Sequence, residues 1–273
     1  MHLKMMKHLH VLDHKTIKIT AGLMVCVIMS GCQPKTEKRE ADAVQTQTHQ
    51  AQQLNSGSNH YIESKTVPLK PKQARVCDEQ GCMDYRFQTV ATNQPWINDY
   101  FKQRIEKADP LPFVTSDQDA RVRDAKPQEL SETEVMVRFI GQNQHLATFE
   151  YTTNVYSAGA AHGMYHNEYV NFDLKAKKRI ALEDLMEAGT RTKLRDTLFE
   201  TNSNWLNAQS IEKAKLEVSD NFYYGADGIV FVYPLYELAA YSEGMSELTL
   251  PYHYTQKLIK PKYLPNLPHY AQN

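Results

Sequence analysis

The chain has 273 residues and a formal net charge of −1, from 31 basic and 32 acidic side chains. Nucleic-acid-binding domains usually present clustered positive charge, so this balance argues against a nucleic-acid partner. Beyond the N-terminal region, no segment approaches the roughly eighteen consecutive apolar residues of a membrane-spanning helix.

The first 31 residues have the layout of a bacterial signal peptide. Four lysines precede an apolar run at residues 19–29, which is shorter than the roughly twenty residues that span a bilayer. The run ends in the sequence MSGC, residues 29–32, which resembles the lipobox at which lipoproteins are cleaved and lipidated. We therefore predict a signal peptide over 1–31 and lipidation at Cys32. The alternative is a secretory signal beside an unmodified cysteine.

Lipidation would place the protein in the cell envelope, anchored to a membrane by its lipid. Gln33 follows the cysteine, where an Asp commonly retains lipoproteins in the inner membrane, so we expect the periplasmic face of the outer membrane if the cell is Gram-negative. Residues 33–60 are rich in Gln, Thr, Ser and charge and hold almost no large apolar residue. Residues 32–60 are therefore predicted to be the lipidated cysteine and a disordered tether.

Two further cysteines, Cys77 and Cys82, flank the turn-like sequence Asp-Glu-Gln-Gly. A pair of cysteines in an oxidising compartment predicts a disulfide, here closing a hairpin between strands at 61–76 and 83–90. The alternative is half of a zinc site, but structural zinc takes four ligands and no second Cys pair remains.

A helix is predicted next. Pro95 lies near its start and the Asp109-Pro110 pair ends it, and its apolar stripe repeats at every fourth residue: Ile97, Phe101 and Ile105. Residues 113–131 are polar and fit either a short helix or a loop.

Period-two alternation of apolar and polar residues predicts a meander of three strands after this region. They cover residues 134–139, 147–155 and 165–174. A helical pattern then begins at Leu182, is interrupted at Gly189 and continues to about residue 208. Alternation returns for two last strands, at 229–233 and 248–252.

This order of elements predicts an α+β fold, with antiparallel sheets and helices packed on one face. We expect two small subdomains, at 61–125 and 130–258, followed by a tail over 259–273.

Histidine and serine residues near position 160 raise two catalytic hypotheses. His162 and His166 are four residues apart, as in a helical zinc motif, but Gly163 replaces the catalytic Glu and the segment is predicted to enter a strand. Ser157, His162 and Asp173 would supply a hydrolase triad, but no Gly-x-Ser-x-Gly turn is present. The simpler interpretation is that His162 hydrogen-bonds backbone in a tight loop.

The adjacent acidic residues Glu183 and Asp184 raise a third hypothesis, the paired carboxylates of a glycosidase. Neighbouring helix residues point apart, and acidic residues at a helix start favour its dipole, so we interpret them as capping residues. The sequence therefore predicts no catalytic residue, no metal and no cofactor. Tyrosines crowd the last third of the chain, and they fit a binding surface or a half-buried core equally well.

The second half of the chain resembles the DUF3298 family. The segment YSAGAAHG, residues 156–163, is similar to that family's Gly-Gly-Ala-His signature, with Ala160 in place of the second glycine. Alanine would be strained there if the position needs a positive φ. Three later motifs follow in the family's order: NFDL at 171–174, LEDL at 182–185, and PLYELAAY at 234–241 with Gly244 and LTLPY at 248–252. The resemblance covers about 130–255, and residues 61–125 resemble the companion domain DUF4163.

The resemblance implies a binding module of the cell envelope. Relatives include the lysozyme-sensing anti-sigma factor of Gram-positive bacteria, whose extracellular part binds lysozyme, and a peptidoglycan deacetylase whose chemistry lies in a separate domain. We therefore expect a non-enzymatic lipoprotein that binds a protein such as lysozyme, or peptidoglycan. The alternative is a peptidoglycan hydrolase or deacetylase, which would bring two or more carboxylates or histidines into one cleft. The candidate binding or loop residues are Gly159, His162, Gly163, Asp173, Tyr236 and Tyr241.

Overall fold

Alternating apolar and polar residues build a seven-stranded sheet. The computed structural model describes residues 61–79, 81–114 and 126–266, so the predicted signal peptide, the predicted lipidation site Cys32 and the predicted tether lie outside the described residues. The strands are β1 (Ser64–Pro68), β2 (Arg75–Cys77), β3 (Cys82–Thr92), β4 (Leu130–Asn143), β5 (Leu146–Tyr156), β6 (Met164–Asp173) and β7 (Lys178–Arg179).

The sheet order is β1-β3-β4-β5-β6-β7, and β2 also pairs with β3. The predicted disulfide between Cys77 and Cys82 is present and joins β2 to β3 where these strands pair. One pairing is parallel, that of β3 with β4, and the other pairings are antiparallel. A helix separates β3 and β4 along the chain, which is the crossover that parallel neighbours require. The α+β class is confirmed, and this one sheet contains strands from both predicted subdomains.

The crossover helix α1 (Pro95–Ala108) covers one face of the sheet. Its predicted stripe is fully buried, and the Phe101 ring lies edge-on to that of Phe172 on β6 and tilted against Phe149 on β5. Burying one such side chain contributes roughly 1.5–3 kcal/mol. The helix ends before Asp109-Pro110, as predicted, so α1 and the α1-facing side chains of the sheet form one core.

Side chains at the intervening strand positions lie on the opposite face, because successive residues of a strand point to opposite sides. These positions are largely polar. They bring Arg86, Glu134 and Asn154 onto the face that α1 does not cover, and the candidate site lies on this face.

A second core lies under a three-stranded sheet in the last third of the chain. The sheet has the order β10-β9-β8, and its strands are β8 (Phe222–Tyr224), β9 (Gly228–Tyr233) and β10 (Ser246–Pro251). Three helices precede it: α2 (Leu182–Leu185), α3 (Arg191–Thr201) and α4 (Ser203–Ala208). The predicted helix is divided at Asn202, between the end of α3 and the start of α4. The Asn202 side chain hydrogen-bonds the backbone of Thr249 on β10.

The predicted tail begins inside this second core. Ile259 and Tyr263 are each 1% exposed and belong to the same apolar cluster as β9 and β10. The backbone of Lys260 donates a hydrogen bond to the carbonyl oxygen of Leu185 at 2.9 Å. The boundary predicted at residue 259 is therefore corrected: the packed structure continues to Leu264. No helix among the described residues is long and apolar enough to cross a membrane.

Candidate functional site

A cleft of about 240 Å³ opens on the face of the seven-stranded sheet that α1 leaves uncovered. Strands β3, β4, β5 and β6 supply one wall, and the loop 157–163 and the segment 234–244 border it. The side chains that matter for its chemistry are Arg86, Glu132, Glu134, Asn154, Tyr165 and Tyr241.

Four of these residues form a continuous polar row across the sheet. Arg86 is the direct neighbour of Glu134, Glu134 of Asn154, and Asn154 of Tyr165. Residues opposite each other in neighbouring strands have Cβ atoms about 5 Å apart, so their side chains lie side by side. Among the described residues, neither the Glu134 carboxylate nor the Asn154 amide has a hydrogen-bond partner. Both groups line the cleft, which leaves their hydrogen-bonding capacity to a ligand or solvent.

Arg86 is held in the cleft by Glu132. Its Nη2 donates to Glu132 Oε2 at 2.9 Å. This hydrogen bond, together with the charges of Glu132 and Glu134, raises the pKa of the Arg86 guanidinium. Because the Arg86 side chain is 56% exposed, the ion pair adds little to stability. Its consequence is a guanidinium with a defined position at the cleft.

Tyr241 closes the other side of the cleft. Its hydroxyl donates a hydrogen bond to the carbonyl oxygen of Gly163 at 2.9 Å. The imidazole of His162 stacks on the Tyr241 ring, with centroids 4.2 Å apart and 27° between planes. His162 Nδ1 also lies 3.0 Å from the Gly163 carbonyl oxygen. These contacts bind the loop to the segment that carries Tyr241.

The loop itself turns at Gly159, whose φ of +78° lies in the region that favours glycine. The backbone N–H of Ala160 donates to the carbonyl oxygen of Ser157 at 2.9 Å and closes the turn. Ala160 is not among the described residues with positive φ. Ala160 therefore does not carry the backbone strain that a positive φ would impose on an alanine.

Tyr236 presents its ring beside this cluster. It is 57% exposed, and its ring centroid lies 5.6 Å from that of Tyr241. Its φ is +68°, a conformation that costs a residue with a Cβ roughly 1–2 kcal/mol. Buried Leu235 and Leu238 on either side hold the segment in place. A strained backbone that exposes an aromatic ring favours a functional role for that ring.

Asp173 is the one candidate residue that the structure places elsewhere. It ends β6, about 30 Å along the strand from Met164. Its carboxylate accepts hydrogen bonds from the backbone of Lys175 and Ala176, both at 3.0 Å, and so orders the turn into β7. The other five candidates lie together at the cleft or at the loop that borders it.

The catalytic groupings do not assemble. Asp173 lies at the far end of β6 from Ser157 and His162, so the triad hypothesis has no geometry to support it. His166 is on the α1 face, as the neighbour of Thr153, whereas His162 lies against Tyr241. Within the described ranges, no three His, Cys, Asp or Glu side chains are grouped as metal ligands.

Of the acidic pair at the start of α2, Asp184 does serve in capping, whereas Glu183 pairs with Arg191. Asp184 accepts hydrogen bonds from the backbone N–H of Ala181 and from the ammonium group of Lys178. Burial acts to raise the pKa of Asp184, but these hydrogen bonds outweigh it and the net effect lowers the pKa.

The sequence did not reveal the polar row as a site. Arg86, Glu134 and Asn154 occupy the polar positions of three alternating strands, where solvated side chains are ordinary. The only signal was the alternation itself. It cannot tell which strands are neighbours, and the parallel pairing of β3 with β4 is what places Arg86 beside Glu134.

Comparison with known families assigns part of the chain. Residues 172–253 match the family model described as "Protein of unknown function (DUF3298)". These residues form a DUF3298 domain. The DUF3298 domain contains Asp173, Tyr236 and Tyr241, whereas the loop 157–163 and the polar row precede it. The cleft is thus bordered by the DUF3298 domain on one side and by earlier strands on the other.

Two solved structures share the fold over a wider range than the DUF3298 domain. A DUF3298 family protein from Pseudomonas aeruginosa has a TM-score of 0.60 and 17% identity, over 77% of this chain and 99% of its own. A DUF3298 family member from Bacteroides fragilis has a TM-score of 0.51 and 15% identity, over 73% of this chain and 94% of its own. Likeness at this identity concerns the fold alone. No curated protein matches the chain.

Proposed function

We propose that this protein is a non-enzymatic binding module of the cell envelope, held at a membrane by lipid on Cys32. The observation that carries the binding role is the cleft at which the His162–Tyr241 stack meets the polar row of the sheet. Its ligand is a protein such as lysozyme, or the glycan of the cell wall. This proposal includes two resemblances of the sequence. The second half of the chain resembles lysozyme-binding extracellular regions, and residues 61–125 resemble DUF4163.

The fixed positions of side chains in the cleft support a binding role. Arg86 is oriented by Glu132, and Tyr241 by Gly163 and His162. Side chains that are already ordered lose less conformational entropy when a ligand arrives, which favours affinity. The exposed ring of Tyr236 adds an apolar surface with a polar tip, as binding surfaces often do.

A pull-down with two baits tests this proposal. Full-length protein in detergent is incubated with immobilised lysozyme and, separately, with insoluble peptidoglycan. We expect retention on at least one bait, and weaker retention of Tyr236→Ala than of wild type. Tyr254→Ala is the matched control, because Tyr254 is similarly exposed, at 49%, but its ring neighbours His253, whereas the Tyr236 ring neighbours Tyr241 of the cleft. Absence of retention on both baits would overturn the binding role.

One observation favours a second candidate, a peptidoglycan-active hydrolase or deacetylase. Glu132 and Glu134 both line the cleft. Glycoside cleavage needs one carboxylic acid that keeps its proton near neutral pH, usually through burial in apolar surroundings. Here Glu132 is hydrogen-bonded by Arg86 and its side chain is 39% exposed, so it lacks such apolar surroundings. This arrangement supports binding over proton donation.

Peptidoglycan turnover separates the two candidates. Release of reducing ends and of acetate is measured for wild type, Glu132→Gln and Glu134→Gln. The binding proposal expects no release above a heat-inactivated sample. Release by wild type that either variant abolishes would establish the enzymatic candidate instead.

Fractionation of cells tests the envelope location. We expect wild type in the membrane fraction and Cys32→Ser outside it, because one acyl-bearing sulfur is the proposed anchor. A Cys32→Ser variant that stays with membranes would contradict lipid anchoring at this residue.

A further inference from the structure

We infer that the ligand of the cleft is a neutral saccharide with N-acetylated sugar rings, an inference that rests on the binding function proposed above. The polar row carries the first part of the argument. Sugar hydroxyls both donate and accept hydrogen bonds, so a site for them needs both kinds of group. Arg86 offers donors, Glu134 acceptors, and the Asn154 amide both. Tyr165 at the end of the row offers a hydroxyl.

The spacing of these groups fits a ligand with several hydroxyls. The four residues occupy directly paired positions on β3, β4, β5 and β6, and adjacent strands lie about 4.8 Å apart. The row thus offers polar groups at regular intervals along a line. Within the described part of the chain, the side-chain groups of Glu134 and Asn154 have no hydrogen-bond partner that a ligand would need to displace.

Charge favours a neutral ligand over an anionic one. The cleft holds one guanidinium, that of Arg86, against the carboxylates of Glu132 and Glu134. The cation already donates to Glu132, and the surplus of negative charge disfavours phosphate, nucleotides and lipid headgroups. The strong acceptors and donors that remain suit uncharged hydroxyl and amide groups.

Apolar surface beside the polar row suits the C–H groups that a sugar presents besides its hydroxyls. Tyr241 lines the cleft. The exposed Tyr236 ring lies next to Tyr241. Pyranose rings present C–H groups that pack on such rings. The acetamido group of an N-acetylated sugar has one N–H and one carbonyl, which complement the acceptor and donors of the Asn154 amide.

The size of the cleft indicates how much of the ligand it holds. Its volume of about 240 Å³ is below the roughly 300–1,000 Å³ of sites that enclose drug-sized molecules. It therefore takes a short part of a chain, with the rest passing over Tyr236 and the loop 157–163. An oligosaccharide fits this arrangement.

Calorimetric titration of the full-length protein with chitotetraose, an oligomer of N-acetylglucosamine, tests the inference. Cellotetraose, which has the same backbone without N-acetyl groups, is the second probe. Asn154→Ala removes the central amide of the row, and its matched control is Thr152→Ala. Thr152 lies on the same strand and face but does not line the cleft. Circular dichroism and thermal unfolding confirm that each variant is folded.

We expect wild type and Thr152→Ala to bind chitotetraose alike, Asn154→Ala to bind at least about tenfold more weakly, and cellotetraose to bind more weakly than chitotetraose. Equal affinity for the two sugars would overturn the N-acetyl part. Chitotetraose binding that Asn154→Ala leaves unchanged would overturn the assignment to this cleft. Retention on lysozyme with no sugar bound would overturn the saccharide and leave the binding function standing, whereas failure of every ligand would overturn both.

Discussion

The Tyr241 hydroxyl and the Gly163 carbonyl oxygen, 2.9 Å apart, join the DUF3298 domain to a loop that precedes it. Gly163 sits where β6 begins, and a Cβ at this position would lie 3.2 Å from the Val155 carbonyl oxygen on β5. The loop is therefore confined on both sides: by β5 behind it and by the Tyr241 ring in front.

Removing only the Tyr241 hydroxyl tests this connection. Tyr241→Phe keeps the ring that stacks on His162 but removes the hydroxyl that donates to the Gly163 carbonyl oxygen. We expect a loss of about 1 kcal/mol in the free energy of unfolding, measured in urea, and faster amide exchange over 158–163. Tyr254→Phe, at an exposed position, should change neither quantity. Unchanged exchange in Tyr241→Phe would show that the hydroxyl does not order the loop.

The positive φ of Tyr236 predicts a conflict between stability and binding. Asparagine tolerates left-handed backbone better than tyrosine. We therefore expect Tyr236→Asn to keep or raise the unfolding temperature while it weakens retention on the bait that wild type binds. Tyr254→Asn should give no such gain in stability. A marked fall in the unfolding temperature of Tyr236→Asn would mean that its ring stabilises the fold.

His166 predicts a pH dependence of stability. Burial lowers the pKa of its imidazole below the ordinary 6.5; the charge of Glu168 opposes this shift and that of Arg104 reinforces it. As pH falls below about 6.5, the unfolded chain binds a proton that the folded chain resists. The free energy of unfolding should therefore decrease as pH falls from about 6.5 to the folded pKa, and level off below it.

Replacing this histidine should flatten that dependence. We expect His166→Asn to have a shallower slope than wild type when urea unfolding is measured between about pH 7.5 and 4.5. His253→Asn, at an exposed position, is the control that should retain the wild-type slope. Equal slopes in wild type and His166→Asn would rule out His166 as the source.

Tyr263 tests the corrected C-terminal boundary. It is 1% exposed within the second core. Tyr263→Ala should cost about 3–5 kcal/mol in urea unfolding, as large-to-small changes of buried aromatic residues do. Tyr254→Ala should stay within about 0.5 kcal/mol of wild type. A small effect at Tyr263 would return residues 259–264 to the status of a tail.

Local pattern was sufficient for most elements because it reports the immediate surroundings of each residue. The spacing of Ile97, Phe101 and Ile105 fits only a helix with one buried face, and α1 begins and ends where Pro95 and Asp109 indicate. Period-two alternation likewise predicted β3, β5, β6 and β9. The close pairing of Cys77 with Cys82 was readable because five residues of separation already bring the sulfur atoms within reach.

Local pattern could not predict contacts between residues that are far apart in the chain. The sequence placed a tail at residue 259, although Ile259 and Tyr263 fill a core whose other members lie far away along the chain. The sequence pattern did not decide which tyrosines lie in the core and which at the surface. In the tertiary structure Tyr233 is buried and Tyr236 is exposed.

The candidate site divides in the same way. Composition and motif alone marked Gly159, His162, Gly163, Tyr236 and Tyr241, because turns and aromatic clusters are local features of a sequence. Only the tertiary structure decided that these residues meet beside a polar row that runs from Arg86 to Tyr165. Alternation fixes which face a side chain takes, but the pairing of strands fixes its neighbours, and that pairing depends on contacts between residues distant in the chain.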